Sequence, residues 1–134
     1  MKKLIEFLYR NPVQYCATVG LDGNPKCRPF QFMFEIDGKL WFCTGNKKEV
    51  YKELQANPNL EISVNSSDNA WCRISGEAHF ENNLEVKQMV LDHSELVKGI
   101  YKTADNPVFE VFYIENGSAI IVDLSGNPPQ VFDL

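Results

Sequence analysis

The chain contains no long apolar run. No window of its 134 residues approaches the 18 or so apolar residues that a membrane-spanning helix needs, and the opening "MKKLIEFLYRNP" is too short and too polar for a signal peptide. The expectation is a cytoplasmic protein. Basic residues are not in excess either: 13 Lys and Arg against 18 Asp and Glu leave a net charge of −5, which argues against binding nucleic acid by wholesale contact with its phosphate backbone. The four cysteines, Cys16, Cys27, Cys43 and Cys72, include no CxxC pair of the kind that holds zinc or cycles as a dithiol. Each falls in an apolar, strand-like run and reads as a small buried thiol. The two histidines, His79 and His93, lie in apolar patterns where a core or rim histidine is commoner than a metal ligand. No GxGxxG or GxxxxGK nucleotide motif, no arrangement of nucleophile, histidine and acid, and no internal repeat is present.

What is present is a single run of alternating segments, expected to form one domain over residues 1–134. A short helix with Leu4, Phe7 and Leu8 on one side stops at "RNP". "VQYCATVG", "KCRPFQFMFEI" and "LWFCT", joined at "LDGNP" and "DGK", read as a three-stranded meander. "NKKEVYKELQANP" reads as a helix with Asn46 as N-cap and Glu49 completing a capping box. Two further strands, "LEISVNS" and "AWCRISGEAHF", precede one amphipathic helix over 83–101. A last hairpin is expected to turn at "NG" between "PVFEVFYIE" and "SAIIVDL". About seven strands and three helices, joined mostly by hairpins, predict a mainly β fold: an antiparallel barrel with peripheral helices.

Two features break local rules. In a strand, Arg28 shares a face with Phe30, Phe32 and Phe34, and a charge on an apolar face needs a partner. No carboxylate lies within four residues, so a distant acid or a bound anion must supply it. With Asn46 as N-cap, Lys47 and Lys48 would occupy the first helical positions, where the macrodipole is already positive. A phosphate would reverse the sign of that conflict, since helix N–H groups and two ammonium groups would converge on it. Two solvated surface lysines are the alternative. In a meander, Arg28 would also lie close to Thr44 at the end of the neighbouring strand. Pro29 removes a ladder donor, which suits either a plain strand edge or a place where a ligand takes over the backbone bonding.

The order strand, "RPFQF", "LWFCT", lysine-bearing helix ending in "NP", "ISV" and "WCRISGEA" resembles the flavin-binding split-barrel proteins related to pyridoxamine 5′-phosphate oxidase. The likeness spans roughly residues 3–124 and rests on order and spacing. It implies FMN held in a cleft between the two subunits of a homodimer, with a small-molecule substrate and neither nucleic acid nor membrane as partner. Carried over residue by residue, the cofactor-binding set is Arg28, Pro29, Phe30, Thr44, Asn46, Lys47, Lys48 and Trp71, the last reaching the flavin across the interface. The loop after Thr44 is shorter than in the vitamin-processing oxidases. The segment with which those enzymes bind phosphorylated pyridoxine is not found after the barrel, so oxidation of that vitamer is not expected.

The compact form resembles the nitroreductase-like or general-stress branch. The implied function is an FMN-dependent oxidoreductase moving electrons between a reduced donor and a small oxidised acceptor. The alternatives are a non-catalytic flavin module acting as sensor, carrier or reservoir, and a split barrel binding deazaflavin or haem.

Overall fold

A computed structural model describes all residues, Met1–Leu134. Eight strands form one antiparallel sheet that curls into a split barrel, and four helices pack around it. In chain order these are α1 (Lys2–Arg10), β1 (Gln14–Val19), β2 (Pro25–Phe30), β3 (Phe34–Ile36), β4 (Lys39–Gly45), α2 (Glu49–Ala56), β5 (Asn59–Asn65), β6 (Trp71–Glu81), α3 (Leu84–His93), α4 (Glu95–Tyr101), β7 (Phe109–Val122) and β8 (Gln130–Asp133). The sheet path runs β2-β1-β5-β6-β7-β4-β3, with β8 added to β7.

The expected first meander does not form. β2 pairs with β1, but β3 pairs only with β4, so β2 and β4 stand near opposite ends of the path. The cause lies in residues 31–33, which leave the ladder. Phe32 donates its N–H to the side-chain Oε1 of Gln14 at 2.9 Å, and Met33 donates to the Trp41 carbonyl. Gln14 is itself fully buried and donates to the Leu8 and Asn11 carbonyls, tying the end of α1 to the crossing chain.

The hairpin expected at Asn116–Gly117 is also absent, because β7 runs straight through it. β6 offers a partner long enough to ladder both halves of β7, with a register shift between Ser75 and Glu77. Asn116 takes a positive φ of 51°, and a Cβ on Gly117 would lie 2.0 Å from the Ser75 carbonyl oxygen. The Asn-Gly pair therefore serves a bulge that bends two long strands, not a turn. Past the bend β7 changes second partner, from β4 to β8.

Helix 83–101 is two helices. Ser94 interrupts it in extended conformation, and its hydroxyl accepts from the Val97 N–H as the N-cap of α4. Eight strands and four helices thus replace the expected seven and three.

Strand alternation places the core. β5 buries Leu60, Ile62 and Val64 in turn, and these meet Cys16, Phe42, Cys72, Ile74 and Phe112 inside the barrel, closed at one end by Leu4 and Leu8 of α1. A second cluster lies outside it, where α3 and α4 lay Val86, Val90, Leu91 and Val97 over Trp41, Phe109, Val111 and Tyr113. No helix is long and apolar enough to cross a membrane.

Candidate functional site

Phe30 and Phe42 approach to 6.3 Å between ring centroids although their strands share no ladder. Beside this seam opens a cleft of about 380 Å³. Pro29, Phe30, Gln31 and Met33 line one wall, Cys43, Thr44 and Lys48 another, and Leu96, Val97, Ile100 and Tyr101 of α4 the third. Gly45 lets Tyr101 in: a Cβ there would sit 2.8 Å from the tyrosine hydroxyl. Tyr101 in turn stacks on Phe109 at 4.7 Å.

The cleft is mostly apolar, and of its polar groups Gln14 is bonded within the fold while Thr44 and Lys48 have no side-chain partner. Thr44 is 2 % exposed, and its hydroxyl has no hydrogen-bond partner. An unpaired buried hydroxyl costs stability unless a ligand satisfies it. Lys48 is exposed and makes no ion pair. Cys43 offers no thiolate, because burial pushes its thiol up to about 12 against a smaller opposing effect of Lys48. Burial likewise raises the Tyr101 phenol, with Cys43 adding to it.

The sequence-derived residues divide sharply. Pro29, Phe30, Thr44 and Lys48 meet in the cleft. Arg28 does not join them. Its guanidinium donates to Glu53 Oε1 at 2.5 Å, to Thr18 Oγ1 at 2.7 Å and to the Cys16 carbonyl at 3.2 Å. The distant acid is its partner in this structure. Glu53 is 2 % exposed and also accepts from Thr18 Oγ1 at 2.8 Å.

Asn46 is not the N-cap. Its amide donates to the Pro107 carbonyl and to Glu110, its N–H bonds Val108, and α2 starts three residues later with Lys48 as N-cap and no side-chain cap. The two lysines therefore precede the first helical residue, Glu49. Lys47 is exposed and outside the cleft lining. Trp71 opens β6, half-buried, with the Arg73 guanidinium 5.1 Å from its ring centre, and does not line this chain's cleft.

Among the thiols, Cys16 and Cys72 are buried, but Cys27 is exposed on edge strand β2, against the expectation for all four. His93 sits at the rim, its ring 5.7 Å from Phe34, and His79 lies between Glu115 and Glu81. Sequence reasoning missed Glu53, Gln14 and the α4 wall. Glu53 carried a readable signal, since it shares the apolar stripe of its helix with Val50 and Leu54.

The family model described as pyridoxamine 5′-phosphate oxidase matches residues 1–118. Among solved structures, a NimC/NimA family protein from Clostridium acetobutylicum is 34% identical, with a TM-score of 0.91 over 100% of this chain and 92% of that one. A pyridoxamine 5′-phosphate oxidase-related, FMN-binding protein from Nostoc punctiforme shares the fold at 17% identity and a TM-score of 0.73, covering 97% and 87% of the two chains. A heme-binding protein from Mycobacterium smegmatis does so at 18% identity and 0.74, covering 95% of this chain and 55% of that one. No curated protein matches. With a family model matched over most of its length and a relative of 34% identity along all of it, the chain belongs to the pyridoxamine 5′-phosphate oxidase family.

Proposed function

We propose that the cleft binds FMN in a homodimer and that the protein is an oxidoreductase passing electrons from a reduced donor to a small oxidised acceptor. The observation that carries this reading is Thr44: a buried hydroxyl without a partner, in a mostly apolar cleft that an unpaired lysine also lines. Such a pair suits a phosphate, which accepts from both, while the Phe30, Met33 and Tyr101 surfaces suit a flat apolar ring. Lys48 and Thr44 would hold the phosphate, Pro29 and Phe30 would bound the ring, and Trp71 would be contributed across the subunit interface. When bound, FMN supplies the redox chemistry, and the chain's own part is to bind, orient and exclude water. That division of labour fits a cleft whose thiol is held protonated and which no histidine lines.

The FMN-binding relative supports the flavin, and the heme-binding one keeps a rival in view. Neither His79 nor His93 lines the cleft, so a histidine-ligated haem there finds no support in the geometry. The visible spectrum of freshly purified protein, before and after incubation with FMN, tests the reading. Flavin absorption retained through gel filtration is expected, and a haem or deazaflavin spectrum, or no uptake of FMN, would overturn it. Bleaching by NAD(P)H followed by rapid reoxidation with a nitroaromatic acceptor is the expected behaviour of an enzyme. A bound flavin that stays inert would make the protein a carrier or sensor.

A further inference from the structure

The α4 wall of the cleft carries a single hydroxyl, on Tyr101, the last residue of the helix, which is 7 % exposed. The side-chain hydrogen bonds of the fold reach the Tyr101 carbonyl but not its phenol. The ring is nonetheless held in place. It stacks on Phe109 at 4.7 Å with 18° between the planes, which fixes the direction of the phenol. The backbone behind it is tied on both sides. Asn106 donates its side-chain amide to the Tyr101 carbonyl at 2.7 Å and accepts from the Val108 N–H at 2.9 Å. Asn46 donates its side-chain amide to the Pro107 carbonyl at 2.7 Å, and its backbone N–H to the Val108 carbonyl at 2.9 Å. The loop after α4 is thereby pinned to itself and to the segment between β4 and α2. So held, the phenol oxygen rests over Gly45, 2.8 Å from where a Cβ would stand. Gly45 follows Thr44 at the end of β4, and its carbonyl accepts from the Lys48 N–H at 3.1 Å. The Thr44 hydroxyl, the Lys48 ammonium and the Tyr101 phenol thus belong to three cleft residues that meet at Gly45. Burial, and then Cys43, push the phenol above its ordinary range, so it keeps its proton at neutral pH and is available as a donor.

We propose, resting on the reading that the cleft takes FMN, that Tyr101 is a further donor to the phosphate, beside Thr44 and Lys48. A phosphate monoester offers three terminal oxygens, enough to accept from all three groups. The phenol acts jointly with the other two, because a single neutral donor does not hold a phosphate that has lost its ammonium and hydroxyl partners. The mostly apolar α4 wall then has a polar task at its last residue, and Asn46 and Asn106 serve the site by placing that residue.

The test is Tyr101→Phe, which removes the O–H and keeps the stack on Phe109. It is expected to leave thermal melting of the flavin-free protein unchanged, since no bond within the fold is lost. FMN should bind about tenfold more weakly, the low end for a hydrogen bond to a charged group, and riboflavin as before. The phosphorus resonance of bound FMN, followed against pH, gives a second readout. Donors favour the dianion, so in the wild type the bound phosphate should titrate below the value of about 6 for a free monoester, and in Tyr101→Phe closer to it. A phenol that only shaped the fold would not move this titration. FMN and riboflavin weakened alike would put the phenol at the ring or the ribityl chain and overturn the proposal. So would a variant whose FMN affinity or phosphate titration matches that of the wild type. A wild-type protein that takes up neither flavin, or binds both alike, would overturn the reading of the cleft itself, a result distinct from those two.

Discussion

Two threonines, one bonded to Arg28 of β2 and one sharing the cleft with Lys48 at the start of α2, show the difference between a structural charge and one left for a ligand. Thr18 and Arg28 form a closed circuit with Glu53, in which each group has a protein partner. Thr44 and Lys48 form an open one, in which the hydroxyl has none and the ammonium has no counter-ion. Both threonines are buried to nearly the same degree, 5 % and 2 % exposed. Burial does not separate the two regions. Satisfaction of polar groups does, and it makes the first region part of the fold and the second a candidate site.

The largest expected effect is one that the two regions share. Burial pushes Cys16 on the network side, Cys43 on the cleft side and Cys72 in the core each up to about 12. The unfolded chain, with thiols near about 8.5, loses these protons first, so their contribution is intact below that pH and is lost as pH rises toward about 12. Each thiol adds a slope of up to about 1.4 kcal/mol per pH unit in that window. Urea midpoints that fall steeply above about pH 9 are expected, and midpoints flat to pH 11 would contradict the burial. In native protein at neutral pH, a thiol reagent should modify Cys27 quickly, the half-buried Cys43 of the cleft slowly, and Cys16 and Cys72 only on unfolding.

Next in size is the cost of opening the closed circuit. Glu53→Ala should destabilise by about 3 kcal/mol in urea denaturation, at the low end for a broken buried pair because Arg28, with a side chain 23% exposed, can turn to water. The same substitution made at both threonines sharpens the contrast. Thr18→Val should cost about 1–3 kcal/mol, since it takes one partner from the Arg28 guanidinium and one from the Glu53 carboxylate, whereas Thr44→Val should be neutral or slightly stabilising in flavin-free protein. Equal costs would erase the distinction. A smaller effect is expected for Lys48→Asp, which supplies the missing N-cap and should stabilise the flavin-free protein by about 1 kcal/mol in thermal melts while weakening FMN.

Much of the architecture was legible because strand alternation and turn residues speak locally. α1, β1, β5 and β6 follow their apolar patterns, and Thr44 lies in β4 next to its end at Gly45. What was not legible depends on partners distant in sequence. Asn-Gly at 116–117 carries a hairpin signal that β6 overrides by laddering both sides of it. The barrel split follows from Gln14 capturing the Phe32 N–H, which no periodicity reveals. The site was half legible. Pro29, Phe30, Thr44 and Lys48 converge, while Asn46 turns to Pro107 and Glu110, and Arg28 turns to Glu53. Two misplaced charges of opposite sign, one on a strand's apolar face and one on a helix's apolar stripe, were each visible in the sequence. Their pairing was the missing step.

The central claim, that the open circuit at Thr44 and Lys48 is completed by a phosphate, is tested most directly by one comparison. The affinities of FMN and riboflavin are measured by flavin fluorescence on wild-type protein and on Thr44→Val/Lys48→Met. The wild type should prefer FMN by about tenfold to hundredfold, the worth of charge-assisted bonds to phosphate, and the double variant should bind the two flavins alike. A preference for FMN that survives in the double variant would contradict the claim and move the phosphate away from these residues.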